Sequence, residues 1–114
     1  MIPYVFLPFI ILVVDLPWLA ITSTNSQKMI RSIQKSDLEL RIAPALVVYV
    51  ALAYLVTLPK NAKDAFLLGL CTYAVYDFTN YATLKNYSLR FAIMDSIWGG
   101  VLFVIVHYII KFYK

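Results

Sequence analysis

Four long apolar runs take up most of this chain, and each is near the length that crosses a lipid bilayer. A membrane helix needs about 20 apolar residues. The runs lie at about 3–22, 42–58, 65–84 and 89–110. Of the 114 residues, 62% are apolar and only 14% charged, where soluble domains carry roughly 25% charged residues. The sequence therefore predicts an all-α fold: a single transmembrane domain over 1–114, built as an integral membrane four-helix bundle. A soluble globular domain is excluded on these grounds.

The net charge is +4, which suits Lys and Arg at a membrane surface facing anionic lipid. No basic run with interleaved aromatics marks a nucleic-acid groove, so nucleic acid is not an expected partner. The single cysteine, Cys71, cannot form an intrachain disulfide and reads as a small packing residue inside the third run. Met1-Ile2-Pro3-Tyr4 lacks the basic region and cleavage site of a signal peptide, so the first run is expected to be retained.

Prolines punctuate the runs. Pro3 suits a first turn, while Pro8 and Pro17 fall inside the first run and are expected to kink it. Pro44 opens the second run and Pro59 ends it. Between the first two runs lies a polar connector, 23–41. There Thr22-Ser23-Thr24-Asn25-Ser26 reads as a loop with helix caps, and Gln27 to Leu40 as a short helix able to rest on the membrane surface. Lys60-Asn61-Ala62-Lys63-Asp64 reads as a tight turn that makes runs two and three antiparallel neighbours, and Lys85-Asn86-Tyr87-Ser88 as the last turn. Lys111-Phe112-Tyr113-Lys114 suits an interfacial anchor. Lys28, Arg31, Lys35, Arg41, Lys85 and Arg90 share one side, against Lys60, Lys63, Lys111 and Lys114 on the other. That excess predicts a multi-pass protein with its first and third loops in the cytoplasm.

Three acids interrupt the apolar runs: Asp15, Asp77 and Asp95. Counted along helices that alternate in direction, at 1.5 Å per residue, all three fall roughly 10 Å below one surface. Trp18 follows Asp15 by three residues and Trp98 follows Asp95 by three, a spacing that puts each indole on the face of its own acid. Around Asp77, Tyr76, Asn80 and Thr83 extend a polar stripe, with Thr79 nearby. Gly69, Gly99 and Gly100 are candidate close-packing positions, because small residues let helices approach in lipid. A lone buried carboxylate costs about 2.5–3.5 kcal/mol on insertion scales. Protonation, a bound cation, or Arg41 and Arg90 as ion-pair partners would relieve that cost. His107 lies about 18 Å along its helix from Asp95 and reads as an interfacial histidine.

The repeated Asp-x-x-Trp, together with Tyr-Asp-x-Thr-Asn-x-Ala-Thr-Leu, resembles a family of small four-span membrane proteins known as domain of unknown function 2177. Asp15 and Trp18, then Tyr76, Asp77, Thr79, Asn80, Ala82, Thr83 and Leu84, then Asp95, Trp98 and Gly99 carry the resemblance, which extends over nearly the whole chain. Pro17 inside the first motif and a connector rich in Lys and Ser depart from the pattern. The resemblance implies a fold without an assigned activity. The family is chiefly microbial, and similar proteins are encoded by some large DNA viruses.

The leading expectation is a structural or scaffolding membrane protein whose acids form a polar cluster near one face. The alternative is a small oligomeric transporter or binding module for a cation or cationic solute. A virion membrane or capsid-anchoring role is a further alternative. An enzyme using Asp77 and Asp95 with a metal on a lipid head group is a fourth reading. No metal-ligand pattern, nucleophile elbow or phosphate loop appears, so no catalytic residue and no cofactor is assigned. The expected partners are the lipid bilayer and a homo-oligomer or a larger membrane or capsid assembly.

Overall fold

The computed structural model of the protein describes residues 3–35 and 41–113. A 3-10 turn at Tyr4–Phe6 leads into four helices: α1 (Leu7–Gln34), α2 (Ile42–Val56), α3 (Ala62–Thr83) and α4 (Leu89–Phe112). There is no strand among the described residues, and the all-α four-helix architecture expected from the apolar runs is what forms.

Helix starts follow local chemistry. Pro8 sits in the first turn of α1, where its missing N–H has no intrahelical partner to lose. It therefore opens the helix instead of kinking it. The Asn61 side chain accepts the Asp64 N–H at 2.9 Å, so α3 is already helical from Ala62 and the turn expected over 60–64 is shorter than it reads. The Ser88 hydroxyl accepts the Phe91 N–H at 3.1 Å and caps α4.

The largest departure is at the first connector. Thr22 to Ser26 do not form a loop, because α1 runs on unbroken through them to Gln34. The hydroxyls of Thr22 and Ser23 donate to the carbonyls of Trp18 and Ala20, bonding within the helix instead of ending it. Tertiary contacts also hold this extension. The Ser88 N–H points at the Met29 sulfur at 3.3 Å, and the Asn86 amide donates to the Ser32 carbonyl at 3.4 Å. Lys35, in the left-handed region at φ 63°, ends the helix. The remainder of the expected surface helix, residues 36–40, lies outside the described residues. At 1.5 Å per residue α1 is about 42 Å long, which exceeds the roughly 30 Å hydrocarbon core.

α3 and α4 form the tightest pair. They cross at Gly69 and Gly99: a methyl added to Gly69 would stand 2.2 Å from the Gly99 carbonyl oxygen, and one on Gly99 would stand 2.3 Å from the Tyr73 ring. Such backbone proximity is open only to residues without a side chain. A methyl on Gly100 would meet the Phe66 ring at 2.7 Å. On α3 the buried face runs Ala65, Gly69, Tyr73, Asp77, four residues apart. Cys71 falls on another side and is exposed, so it is not the packing residue its apolar context suggested. α2 lies along α1 more than along α3, although the short connection predicted the opposite. The core joins Leu7 and Ile11 of α1, Leu52 and Val56 of α2, and Leu102, Phe103 and Val106 of α4.

Large apolar side chains on every helix point outward, among them Ile21 at 74%, Ile42 at 69% and Val75 at 69% exposure. Apolar surface on this scale marks contact with lipid or with another protein. Two helical stretches, Tyr4–Gln34 and Leu89–Phe112, are long and apolar enough to cross a membrane. α2 is apolar but only 15 residues long. α3, with 22 residues, is long enough, but Thr72, Asp77 and Asn80 dilute its apolar character.

Candidate functional site

All three aspartates are buried, Asp77 to 1% exposure. Asp15 comes from the first third of α1, Asp77 from the last third of α3 and Asp95 from the second turn of α4. The tryptophans reach them by exchange. Trp18 of α1 donates its indole N–H to Asp95 Oδ1 of α4 at 2.8 Å. Trp98 of α4 donates to Asp15 Oδ1 of α1 at 2.7 Å. Each indole thus serves the other helix's acid, and not the one three residues before it. The two rings stack at a centroid distance of 5.6 Å and an interplanar angle of 14°. Two indole–carboxyl hydrogen bonds and a stacked pair therefore bind α1 to α4.

Tyrosines complete the set. Tyr49 of α2 donates to Asp15 Oδ2 at 2.9 Å, so three helices meet at Asp15. Tyr87, in the turn between α3 and α4, donates to Asp77 Oδ1 at 2.9 Å. Burial pushes the Tyr87 phenol above its ordinary range, which keeps it a donor. Asp77 Oδ2 is buried and has no hydrogen-bond partner among the described residues. The Asp95 side chain adjoins that of Asp77.

Asp15, Trp18, Tyr49, Tyr73, Tyr76 and Asp95 all line one half-open cavity of about 210 Å³. Two carboxylates and five aromatic rings, Phe91 included, face a space there smaller than the roughly 300 Å³ of the smallest ordinary ligand pockets. The Tyr73 and Tyr76 rings contact at a 5.2 Å centroid distance. A neighbouring cavity of about 360 Å³ runs from Trp18 and Thr22 to Ser88 and Arg90.

Other expected members lie apart. Thr79 and Thr83 are exposed and donate to the carbonyls of Val75 and Thr79 in their own helix. Asn80 is half-buried and faces Tyr87. Arg41 precedes α2 and is exposed, and Arg90 lines only the neighbouring cavity. Among the described residues neither bonds Asp15, Asp77 or Asp95, whose donors are indoles and phenols. His107 is half-buried at the opposite end, edge-on to Tyr108. Tyr49 and Tyr87 were not singled out in the sequence. For Tyr49 the signal was a phenol seven residues into its run, level with the acids, whereas Tyr87 lies in the turn above them and carried no such signal. Among the described residues no group of three or more His, Cys, Asp or Glu side chains is arranged to hold a metal ion.

The outward apolar surface, the two membrane-length helices and the buried polar cluster define a helical membrane protein. Its family is shown by sequence: residues 1–110 match the family described as "Predicted membrane protein (DUF2177)", and the chain belongs to it. No curated protein and no solved structure matches the chain.

Proposed function

We propose that this protein is a small membrane-embedded binding module for a compact organic cation, a quaternary or protonated amine, held in the cavity between α1, α2, α3 and α4. One observation carries the reading: Asp15 and Asp95 line the same aromatic-walled space. Aromatic faces attract cations with about 0.5–2 kcal/mol each, more as water is excluded, and acids within membrane helices mark sites where ions or charged solutes bind. The volume favours a small cation over a drug-sized one. All four helices cross the membrane in this reading, since α2 and α3 also present exposed apolar side chains to lipid. Transport would require a second copy to enclose a path. The first and third loops lie in the cytoplasm. Lys85→Cys in a Cys71→Ser background should then react with an impermeant maleimide from that side alone, and labelling from outside would reverse the orientation.

Trp18 and Trp98 are the only tryptophans in the chain, so intrinsic fluorescence reports directly on the site. Titration of the purified protein with tetramethylammonium chloride should change the emission saturably, and sodium chloride at equal ionic strength should not. Asp95→Asn should remove the response. Emission indifferent to quaternary and primary amines at every pH where the protein stays folded would rule the reading out.

A structural role is the second reading, favoured by the reciprocal Trp–Asp bonds that tie α1 to α4. It predicts that Asp95→Asn lowers stability while the parent protein shows no ligand response.

A further inference from the structure

The far end of the bundle holds a larger cavity of about 620 Å³, bounded by the start of α1, the end of α2 and the end of α4. Its walls are of two kinds. Leu7, Val56 and Ile110 are apolar, while Lys60, His107 and Lys111 supply nitrogen donors. No acidic residue is among the described residues that line it. Lys60, in the turn between α2 and α3, and Lys111, in the last turn of α4, are exposed, at the level where a membrane helix meets the phosphate layer. The acid cluster does not reach here, since Asp95 and His107 are about 18 Å apart along α4. Cationic rim and apolar floor are the two halves of an anionic amphiphile's complement.

We propose that this cavity binds one anionic phospholipid, its phosphate on Lys60, Lys111 and His107 and the first part of an acyl chain against Leu7, Val56 and Ile110. The lysines act as point charges on the phosphate, and His107 donates from its ring. The apolar wall gives the site a preference for a lipid over free phosphate. A space of this size lies within the roughly 300–1,000 Å³ range of ligand pockets, enough for a head group and several methylenes. The site is separate from the cation cavity, so either assignment can fail without the other.

The test uses the full chain in detergent and native mass spectrometry, with phosphatidylglycerol and phosphatidylcholine as competing probes. The parent protein should retain one phosphatidylglycerol in preference to phosphatidylcholine. Each lysine near a charged surface contributes about fivefold, so Lys60→Gln with Lys111→Gln should reduce the preference by about thirtyfold. Both side chains are exposed, and the helical circular dichroism of the double variant should match the parent. Lys85→Gln, at the other end of the bundle, should leave the preference unchanged. Equal retention of the two lipids by the parent, an undiminished preference in the double variant, or displacement of the lipid by inorganic phosphate at equal concentration would each overturn the proposal.

Discussion

Replacing Trp98 by Phe isolates the exchange of donors between α1 and α4. The ring remains able to stack on Trp18 at about the present 5.6 Å separation, but the N–H that reaches Asp15 Oδ1 at 2.7 Å is lost. Asp15 is 5% exposed, so water cannot readily replace the donor, and Tyr49 remains on the other oxygen. Neutral polar pairs between membrane helices average about 0.6 kcal/mol and reach about 1.7. Hydrogen bonds to a charged group in proteins are worth about 1.5–3 kcal/mol. The carboxylate acceptor and its burial place this bond where the two ranges meet, at about 1.5–2 kcal/mol. Trp18→Phe should cost about the same, because Trp18 makes the mirror bond to Asp95. The assay is reversible unfolding in mixed micelles, followed by helical circular dichroism. Tyr108→Phe, at an exposed site, serves as the control and should fall within about 0.5 kcal/mol of the parent. If both tryptophan variants unfolded with the control, the indole bonds would contribute nothing and the reasoning would be refuted.

Gly69→Ala and Gly99→Ala should each force α3 and α4 apart, since the new methyl meets a neighbouring backbone oxygen at 2.2 and 2.7 Å. A loss of about 1–3 kcal/mol or more is expected, and variants as stable as the parent in the same micelle unfolding would show that the helices do not cross there. Tyr87→Phe removes the phenol that donates to Asp77 Oδ1 and should destabilise by about 1–3 kcal/mol. Asp77→Asn keeps an acceptor for Tyr87 and takes a buried carboxyl away from Asp95, so its midpoint should equal or exceed that of the parent. A marked loss in Asp77→Asn would mean that the charge itself is held by a partner.

Helix content and the number of helices were legible because each depends on distance along one chain. Run length sets helix length, and a fixed rise of about 1.5 Å per residue sets depth. Gly69 and Gly99 stood out for a similar reason, as small residues inside otherwise bulky runs. Which indole serves which acid was not legible. Spacing of three puts Trp18 over Asp15 on one face of α1, yet its N–H reaches Asp95, because the rotation of α1 against α4 decides where the indole points. The continuation of α1 through Thr22 to Ser26 was hidden as well. Five small polar residues signal a loop, but hydroxyls that donate back to helix carbonyls are compatible with either state. Contacts of Met29 and Ser32 with the α3–α4 turn favour the helix.

The sequence alone determined that this is a helical membrane protein with three acids inside its apolar runs, since apolarity and rise per residue act locally. The tertiary structure alone decided that Tyr49 and Tyr87 join the cluster, that Arg41 and Arg90 do not, and that the far cavity carries a basic rim. Those outcomes depend on how helices rotate and lean against one another, a property of the packed interfaces that no single segment encodes.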